Sequence, residues 1–494
     1  MHLVALFAFS TVLQLVAAQT IFDIWQTTWD RTNLLTRTDD PLVNFVTPGP
    51  VGDADIVVDD STVYQPMDGF GATLTDSSAL VLSQLKSRNL ANYNALLAKL
   101  FDPTDGAATA GFGILRLNLG ASDFSAGGNF DDTSGDTSLS NLSLDRAPAY
   151  LWSTLRDIVA VNPRIKLYVL PWSPPAWMKT SNSMNDGSLL PQYNGVFAQY
   201  LLKTVQQLKA KGFTVYAINP QNEPENGNPT YPTTVMQFSQ EASIGQALRP
   251  LLNNNGFSSV KIIGFEHNWE HAGEYPVSLM NAAGSSFAGV AFHCYGGVVS
   301  NQDWFLAAFP NKEVYMTECT GSIGSDWWGD IKWYMDQIAI GAPEHMSRTG
   351  MMWNLASDPS GGPLFPGTNS CDKGCRSMVT INGDGSYVLN QEFYAFAQAS
   401  RAIVPKDAGG PTGQRIKVSL GGDQHWALRV NAFVTKRTSS ADWNRYSLVV
   451  LNWNDSGSLG FTPRPVKATI EFRGVQATYT FPVGVTTLWW FAPN

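Results

Sequence analysis

Residues 215–224 read VYAINPQNEP, a short apolar run that ends in an Asn-Glu pair. A second such run, VYMTE, ends at Glu318. In a parallel barrel of strands and helices, the functional side chains stand at the carboxyl ends of the strands. We therefore expect Glu223 and Glu318 to lie at the same mouth of one barrel.

The middle of the chain alternates short apolar runs with longer segments of helical period. Eight runs have the length of strands, at 67–72, 113–119, 166–171, 215–219, 260–265, 289–295, 313–318 and 351–355. Helical patterns lie between them at 150–161, 196–211, 235–252 and 330–340. Eight strands, most followed by a helix, predict an α/β fold, the (β/α)8 TIM barrel. An open doubly wound sheet would show a GxGxxG turn after its first strand, but residues 69–72 read GFGA.

Beyond residue 400 the pattern changes to alternating runs joined by Gly, Pro, Asn and Asp. These runs lie at 415–420, 425–434, 445–452, 466–473 and 477–490. Strand-like runs without intervening helices predict an antiparallel β-sandwich, which similar runs in the N-terminal segment would join. The predicted divisions are a signal peptide at 1–18, the N-terminal segment at 19–65, the barrel at 66–400 and the C-terminal sandwich at 401–494.

Composition limits the class of partner. The chain has 16 Trp and 12% aromatic residues, and its 32 Lys plus Arg against 41 Asp plus Glu give a net charge of -9. A polyanion such as nucleic acid would be repelled by this charge. Aromatic surfaces stack well on sugar rings, so a neutral glycan is the expected partner.

The first residues are apolar up to Ala18 and then turn polar, which is typical of a secretory signal peptide. This stretch lacks the ~20 apolar residues and the stop-transfer flank of a membrane anchor. We therefore expect a secreted protein without stable membrane anchoring. A monomer is the expected oligomeric state, although no motif in the sequence specifies it. Asn141 and Asn454 begin Asn-x-Ser sequences, which predict N-glycosylation in a eukaryotic host.

Four cysteines are too few to build the fold by themselves. Cys371 and Cys375 lie in the tight polar loop CDKGC, which an oxidising compartment would close into a disulfide. Cys294 and Cys319 lie at predicted strand ends. They form either a second disulfide, which we favour, or two buried free thiols.

The two glutamates have the chemistry of a retaining glycosidase, in which one carboxyl group donates a proton and the other attacks the anomeric carbon. Glu223 is predicted to have a raised pKa and to act as the acid and then the base. Glu318 is predicted to stay ionised as the nucleophile. The two carboxyl groups should lie ~5–5.5 Å apart, as in retaining enzymes.

Further polar and aromatic residues follow the predicted strands: Asp76, Arg116, Trp172, Asn222, His293, Tyr295 and Trp353. Arg116, His293 and Tyr295 would donate hydrogen bonds that keep Glu318 ionised. Asn222 would hold the sugar 2-hydroxyl, and Asp76 would bind hydroxyls farther from the reacting bond. Trp172 and Trp353 would form an apolar floor under the sugar ring. Any one of them could be a packing residue, but their shared placement favours a site.

No cofactor is needed for this chemistry. Residues 267–271 read HNWEH, which matches the H-x-x-E-H pattern of some zinc peptidases. A zinc site needs both histidines on one helix face and a third ligand downstream. The motif directly follows the predicted strand 260–265, so we expect a loop and no metal.

Several of these segments together resemble one known family. They are GFGATLTD at 69–76, PWSPPAWMKT at 171–180, NEP at 222–224, FHCY at 292–295 and TEC at 317–319. The chain is thereby identified as similar to glycoside hydrolase family 30. The resemblance runs along nearly the whole mature chain. It implies a barrel with a β-sandwich side domain made from both termini, retention of configuration, Glu223 as acid/base and Glu318 as nucleophile.

Within that family the sequence is most similar to the secreted fungal endo-β-1,6-glucanases. It differs from the animal glucosylceramidases at Gln221 and Cys294, where they carry Glu and Trp, and both differences count against lipid hydrolysis. The resemblance implies an endo-β-1,6-glucanase, with glucosylceramidase or xylanase as alternatives. A catalytically silent carbohydrate-binding protein is the alternative outside enzymes, although such a protein needs neither Glu223 nor Glu318.

Overall fold

A computed structural model describes residues 19–49, 51–126, 133–371, 374–458 and 460–494. The predicted signal peptide, residues 1–18, lies outside the described residues. Within these ranges, no helix combines the length and the apolar character needed to cross a membrane.

A parallel barrel forms the centre of the molecule. Four strands precede it, β1 (Thr20–Thr28), β2 (Leu34–Arg37), β3 (Val43–Asn44) and β4 (Ala54–Pro66). The barrel strands are β5 (Gly69–Leu74), β6 (Ile114–Asn118), β7 (Lys166–Leu170), β8 (Val215–Ile218), β9 (Lys261–Asn268), β10 (Gly289–His293), β11 (Glu313–Glu318) and, after the short β12 (Gly321–Ser322), β13 (Thr349–Asn354). From β5 to β11 each barrel strand pairs in parallel with the next, and β13 pairs in parallel with β5. A bridge between Val314 and Ser347 brings β11 against the start of β13, so the ring nearly closes.

Helices lie between most barrel strands. They are α1 (Asp76–Arg88), α2 (Leu90–Phe101), α3 (Ala149–Val161), α4 (Asn194–Ala210), α5 (Phe238–Asn254), α6 (Tyr275–Ala283), α7 (Gln302–Ala308), α8 (Trp327–Trp333), α9 (Gly341–Glu344) and α10 (Gln391–Ile403). The turn from β5 into α1 shows how the sequence sets such a boundary. The Thr75 hydroxyl accepts a hydrogen bond from the backbone N–H of Ser78, which caps the helix at its first turn.

The remaining strands form small sheets and one large sheet. Small sheets follow the barrel, with β14 (Ala356–Ser357), β15 (Cys375–Arg376), β16 (Val379–Ile381) and β17 (Tyr387–Leu389). The C-terminal strands are β18 (Gln414–Gly421), β19 (Leu428–Thr435), β20 (Asn444–Asn452), β21 (Ser456–Gly457), β22 (Gly460–Phe461), β23 (Val466–Phe472), β24 (Val475–Phe481) and β25 (Gly484–Ala492).

Both termini build the large sheet, as predicted. Its strand order is β2-β1-β25-β20-β19-β18-β4-β23-β24, with β3 beside β1. The Val46–Gln476 bridge links β24, at one end of this order, to the segment after β3, which lies beside β1, so the sheet folds over a core of its own. Neighbours are antiparallel except β4 and β23, which run parallel, a detail that the predicted antiparallel sandwich missed. The domain limits drawn at residues 65 and 400 stay a prediction.

Helix α10 joins the barrel to the large sheet. It is buried along nearly its whole length and contacts β5 on one side and β25 on the other. Inside this seam the Gln398 side chain donates to the hydroxyl of Thr27 and accepts from the hydroxyl of Thr487. A buried amide must keep such partners, because an unpaired polar group costs ~1–3 kcal/mol. The seam therefore holds the two parts in one fixed arrangement.

Candidate active site

Glu318 ends β11 and lies buried at the mouth of the barrel. One carboxylate oxygen accepts a hydrogen bond from Arg116 at 2.5 Å, and the other accepts from the Tyr295 hydroxyl at 3.0 Å. The Nδ1 atom of His293 lies 3.8 Å away. The structure thus brings together the three residues predicted to surround Glu318.

Glu223 stands in the loop after β8, with its backbone at a φ of 43°. Oε1 accepts a hydrogen bond from His293 Nδ1 at 3.0 Å, and Oε2 accepts from the Asn226 amide at 2.8 Å. A positive φ is unfavourable for a residue with a side chain and is kept only where surrounding contacts enforce it. The loop is held by a hydrogen bond from the Glu223 N–H to the Glu266 carbonyl.

The two glutamates face each other across a narrow gap. A carboxylate oxygen of Glu223, one of Glu318 and a ring nitrogen of His293 all lie within 4.8 Å of one another. Inverting glycosidases need ~6.5–9.5 Å between their carboxyl groups to admit a water molecule. The observed gap has the short spacing of retaining enzymes.

The pKa values of the two carboxyls depart from the predicted order. Burial raises the pKa of Glu223, but the hydrogen bond and positive charge of His293 outweigh it and lower that pKa to about 2. Burial raises the pKa of Glu318, against the opposing charges of His293 and Arg116. The prediction of a raised pKa for Glu223 is therefore wrong for the free protein, because His293 donates to that glutamate directly.

Arg116 is the centre of the site. Its guanidinium is fully buried and donates to Glu318 and to the side-chain Oδ1 of Asn222, the latter at 2.6 Å. It also stacks on Trp172 and Trp353, whose ring centroids lie 4.7 and 5.6 Å from it. Both tryptophans are buried to 3% exposure. Their contact with Arg116 is a cation–π interaction, and their role as a sugar floor stays a prediction.

Asp76 lies at the start of the helix that follows β5, and its predicted contact with sugar hydroxyls farther from the reacting bond stays a prediction. It opens α1 and accepts a hydrogen bond from the Ser125 hydroxyl at 2.6 Å, so it supports the loop after β6. That loop carries Asp123, whose carboxylate accepts from the Ser370 hydroxyl. Burial raises the pKa of Asp123 to about 7, and the charges of Glu318 and Glu223 add to the effect. Asp123 is thus the aspartate near the catalytic pair, and its place after a strand end was a signal that we overlooked.

Glu266 was also missed. It is fully buried, and its Oε1 lies 3.0 Å from an Arg116 nitrogen and 3.5 Å from His293 Nε2. The Tyr168 hydroxyl donates to its other oxygen. The predicted strand stopped at residue 265, whereas β9 runs on to Asn268.

The H-x-x-E-H motif is not a helical metal site. His267 is the last residue but one of β9, and His271 lies in a short 3-10 helix that follows. His271 Nδ1 lies 2.6 Å from the Glu225 carboxylate, and His267 Nε2 lies 3.9 Å from it. Among the described residues, the one three-residue group close enough to hold a metal is Glu223, His293 and Glu318. The cationic Arg116 already binds Glu318 there, so this donor set suits a pair of acids better than a metal ion.

The cysteines form two disulfides. Cys294 pairs with Cys319 and Cys371 with Cys375, each with Cα atoms 5.2 Å apart, so both favoured pairings are confirmed. Asn141 is exposed, as a glycan acceptor must be. Asn454 is only 7% exposed, so of the two predicted acceptors Asn141 has the better access.

Three buried carboxyl groups give the fold a pH dependence. Burial raises the pKa of Asp76 and Asp123 to about 7 and that of Glu241 to about 8. The folded protein therefore binds more protons than the unfolded chain between about pH 4 and 8, and its free energy of unfolding falls as pH rises through this range. Each unit of raised pKa is worth ~1.4 kcal/mol once the pH exceeds both values.

Calorimetry should accordingly show a lower Tm at pH 8 than at pH 5. Replacing Glu241 with Gln should reduce the difference, because the amide keeps the acceptor for the Phe265 N–H without taking up a proton. An equal fall in Tm for both proteins would show that Glu241 does not contribute.

The fold and the paired carboxylates define a glycoside hydrolase. A family model described as the glycosyl hydrolase family 30 TIM-barrel domain matches residues 67–403. The chain belongs to glycoside hydrolase family 30, as its motifs predicted.

The chain is also similar to proteins of stated activity. The chain is 33% identical over 380 residues to an endo-1,6-beta-D-glucanase of Neurospora crassa, covering 73% of this chain and 75% of the relative. It is 28% identical over 333 residues to the lysosomal acid glucosylceramidase of Mus musculus, covering 61% of each. A solved endo-beta1,6-glucanase superposes with a TM-score of 0.81 at 28% identity, covering 95% of this chain and 99% of that one.

Proposed function

We propose that this protein is a secreted, monomeric endo-β-1,6-glucanase that cleaves β-1,6-glucan with retention of configuration. The observation that carries the proposal is the gap of at most 4.8 Å between the carboxylates of Glu223 and Glu318. The likeness to endo-1,6-beta-glucanases in sequence and in structure supports the choice of substrate. The two disulfides and the predicted signal peptide support secretion.

The reaction runs through a covalent intermediate. Glu318 attacks the anomeric carbon, and the hydrogen bonds from Arg116 and Tyr295 hold its carboxylate in position for the attack. A proton delivered through Glu223 goes to the departing sugar oxygen. In the second step Glu223 accepts a proton from water, whose oxygen displaces Glu318 from the sugar.

Asn222 supports the charge that develops on the sugar. The side-chain Oδ1 of Asn222 accepts a hydrogen bond from Arg116. The NH2 group of the same amide is therefore left to donate to the 2-hydroxyl of the sugar. Such a hydrogen bond strengthens as the oxocarbenium-like transition state forms. A protein that only bound carbohydrate would gain nothing from this arrangement of an acid, a nucleophile and an amide.

Product analysis on four substrates tests the proposal. Pustulan, a β-1,6-glucan, should be cut internally into oligosaccharides, with kcat/KM at least ~100-fold above laminarin, xylan and glucosylceramide, equivalent to ~2.7 kcal/mol of transition-state binding. NMR should show the β anomer as the first product. If glucosylceramide or xylan were cleaved in preference to pustulan, the proposed substrate would be wrong but the proposed retaining mechanism would stand. Release of glucose alone from chain ends would contradict endo action.

A further inference from the structure

Glu266 is a third carboxylate in the site, and the two-step reaction does not use it. It has no exposed surface. Its carboxylate contacts Arg116, His293 and Tyr168. An ionised carboxylate without access to water is costly unless such contacts stabilise it, so its presence requires a reason.

An irregular backbone at Glu266 directs this side chain toward Arg116 and His293 in the site. Phe265 and Glu266 have φ values of 70° and 56°, and the pairing of β9 with β10 shifts register at this point. Two consecutive residues in the left-handed region cost ~1–3 kcal/mol each. Two hydrogen bonds hold this bulge at Phe265 and Glu266. Glu241 Oε1 accepts from the Phe265 N–H at 3.0 Å. The Glu266 backbone carbonyl accepts from the Glu223 N–H, so the bulge also positions the loop that carries Glu223.

His293 lies between three carboxylates. Its Nδ1 is 3.0 Å from Glu223 and 3.8 Å from Glu318, and its Nε2 is 3.5 Å from Glu266. The cation that shares these carboxylates with His293 is Arg116, which pairs with Glu318 and Glu266. Burial lowers the pKa of the neighbouring His267, so that ring adds little positive charge. Three carboxylates against one arginine leave a deficit of positive charge that a protonated His293 reduces.

We propose that Glu266 is a positioning residue that keeps His293 protonated and holds one ring proton on Nε2, so that the Nδ1 proton is the one available to Glu223. The inference rests on the proposed glycosidase function of Glu223 and Glu318. The acid of the reaction is then the Glu223–His293 pair, which shares one transferable proton. Burial alone would lower the pKa of His293, but the three carboxylates, with Glu318 and Glu223 first, raise it to about 9.

The proton balance is simple. In the first step the shared proton goes to the glycosidic oxygen as its bond to the anomeric carbon breaks and Glu318 bonds to that carbon. The pair is left as a Glu223 carboxylate and a neutral His293, whose remaining ring proton faces Glu266. In the second step the attacking water returns one proton to the pair, its oxygen bonds to the anomeric carbon, and Glu318 leaves.

Replacing Glu266 with Gln tests the role. The loss of one adjacent negative charge should lower the pKa of His293 by ~1–3 units, the range for an opposite charge within ~4–6 Å. In the pH profile of kcat/KM, the basic limb is the fall in rate at high pH as His293 loses its proton, and it is expected near pH 9 in the natural protein. In Glu266→Gln this limb should move to lower pH by the same number of units. The matched control is Glu241→Gln, which replaces a neighbouring buried carboxyl group but keeps the acceptor for the Phe265 N–H and removes none of the three carboxylates around His293. It should leave the basic limb of kcat/KM in place.

A direct titration separates this inference from the proposed function. Protein labelled at the ring carbon of histidine contains only six histidines, and His293→Gln assigns the signal of His293. NMR should find His293 in the natural protein protonated to about pH 9, whether or not pustulan is the substrate. A neutral His293 at pH 7, or an unmoved titration and limb in Glu266→Gln, would overturn the inference. If His293 titrates as expected but no glycan is cleaved, the proposed function fails instead.

Discussion

Glu318→Ala is expected to lower kcat on β-1,6-glucan by at least ~10⁴-fold, since loss of a catalytic nucleophile has effects of this size or larger. Without the carboxylate no covalent glycosyl-enzyme can form. Hydrolysis should be measured on pustulan and on an activated aryl β-glucoside, and both should be lost. Added azide should restore turnover of the aryl glucoside and give the α-glycosyl azide, because the anion attacks from the side that Glu318 vacates.

Glu313→Gln is the matched control for this variant. Glu313 begins the same strand, β11, at the opposite end of the barrel, where it pairs with Lys261 and Arg348. Its replacement should change kcat little. A β-glycosyl azide from Glu318→Ala would reverse the roles assigned to the two glutamates and leave the fold assignment intact.

Glu223→Ala is expected to lower kcat/KM on pustulan by ~10²–10⁴-fold, the usual contribution of a general acid. The loss should be much smaller for formation of the intermediate from an aryl glucoside, whose leaving group needs little protonation. The intermediate should then accumulate, because no base activates water. Azide should react with it to give the β-glycosyl azide.

The control for this second variant is Glu225→Ala, two residues farther along the same loop. Glu225 contacts His271 and is partly exposed, so its loss should leave the rates on both substrates within a few-fold. Equal losses on pustulan and on the aryl glucoside in Glu223→Ala would show that Glu223 does not act as the acid.

Much of the architecture could be predicted because it depends on local patterns. The eight apolar runs, and the alternating runs without helices after residue 400, have the residue spacing of β-strands. They predicted the barrel and the second sheet. The parallel pairing of β4 with β23 joins residues more than 400 positions apart. No local pattern encodes such a partner choice.

The site was predictable where a residue directly ends a strand, as Glu318 and His293 do. The prediction of site residues failed where the backbone departs from regular strand geometry. The positive φ values at Phe265 and Glu266 have no glycine to announce them, so the strand was ended early and Glu266 was overlooked. The pKa order of the two glutamates depends on which one His293 contacts, and that is a property of the folded barrel mouth alone.

The position of β25 has a consequence for how the protein is made. This last strand lies between β1 and β20, so the first described strand pairs with the final stretch of the chain. At ~5–20 residues per second, the ribosome takes tens of seconds to supply the partner of β1. Until then β1 has an open edge, which is the kind of surface that recruits strands from other molecules. Nonsense mutations that remove β25 should therefore be as damaging as much longer truncations.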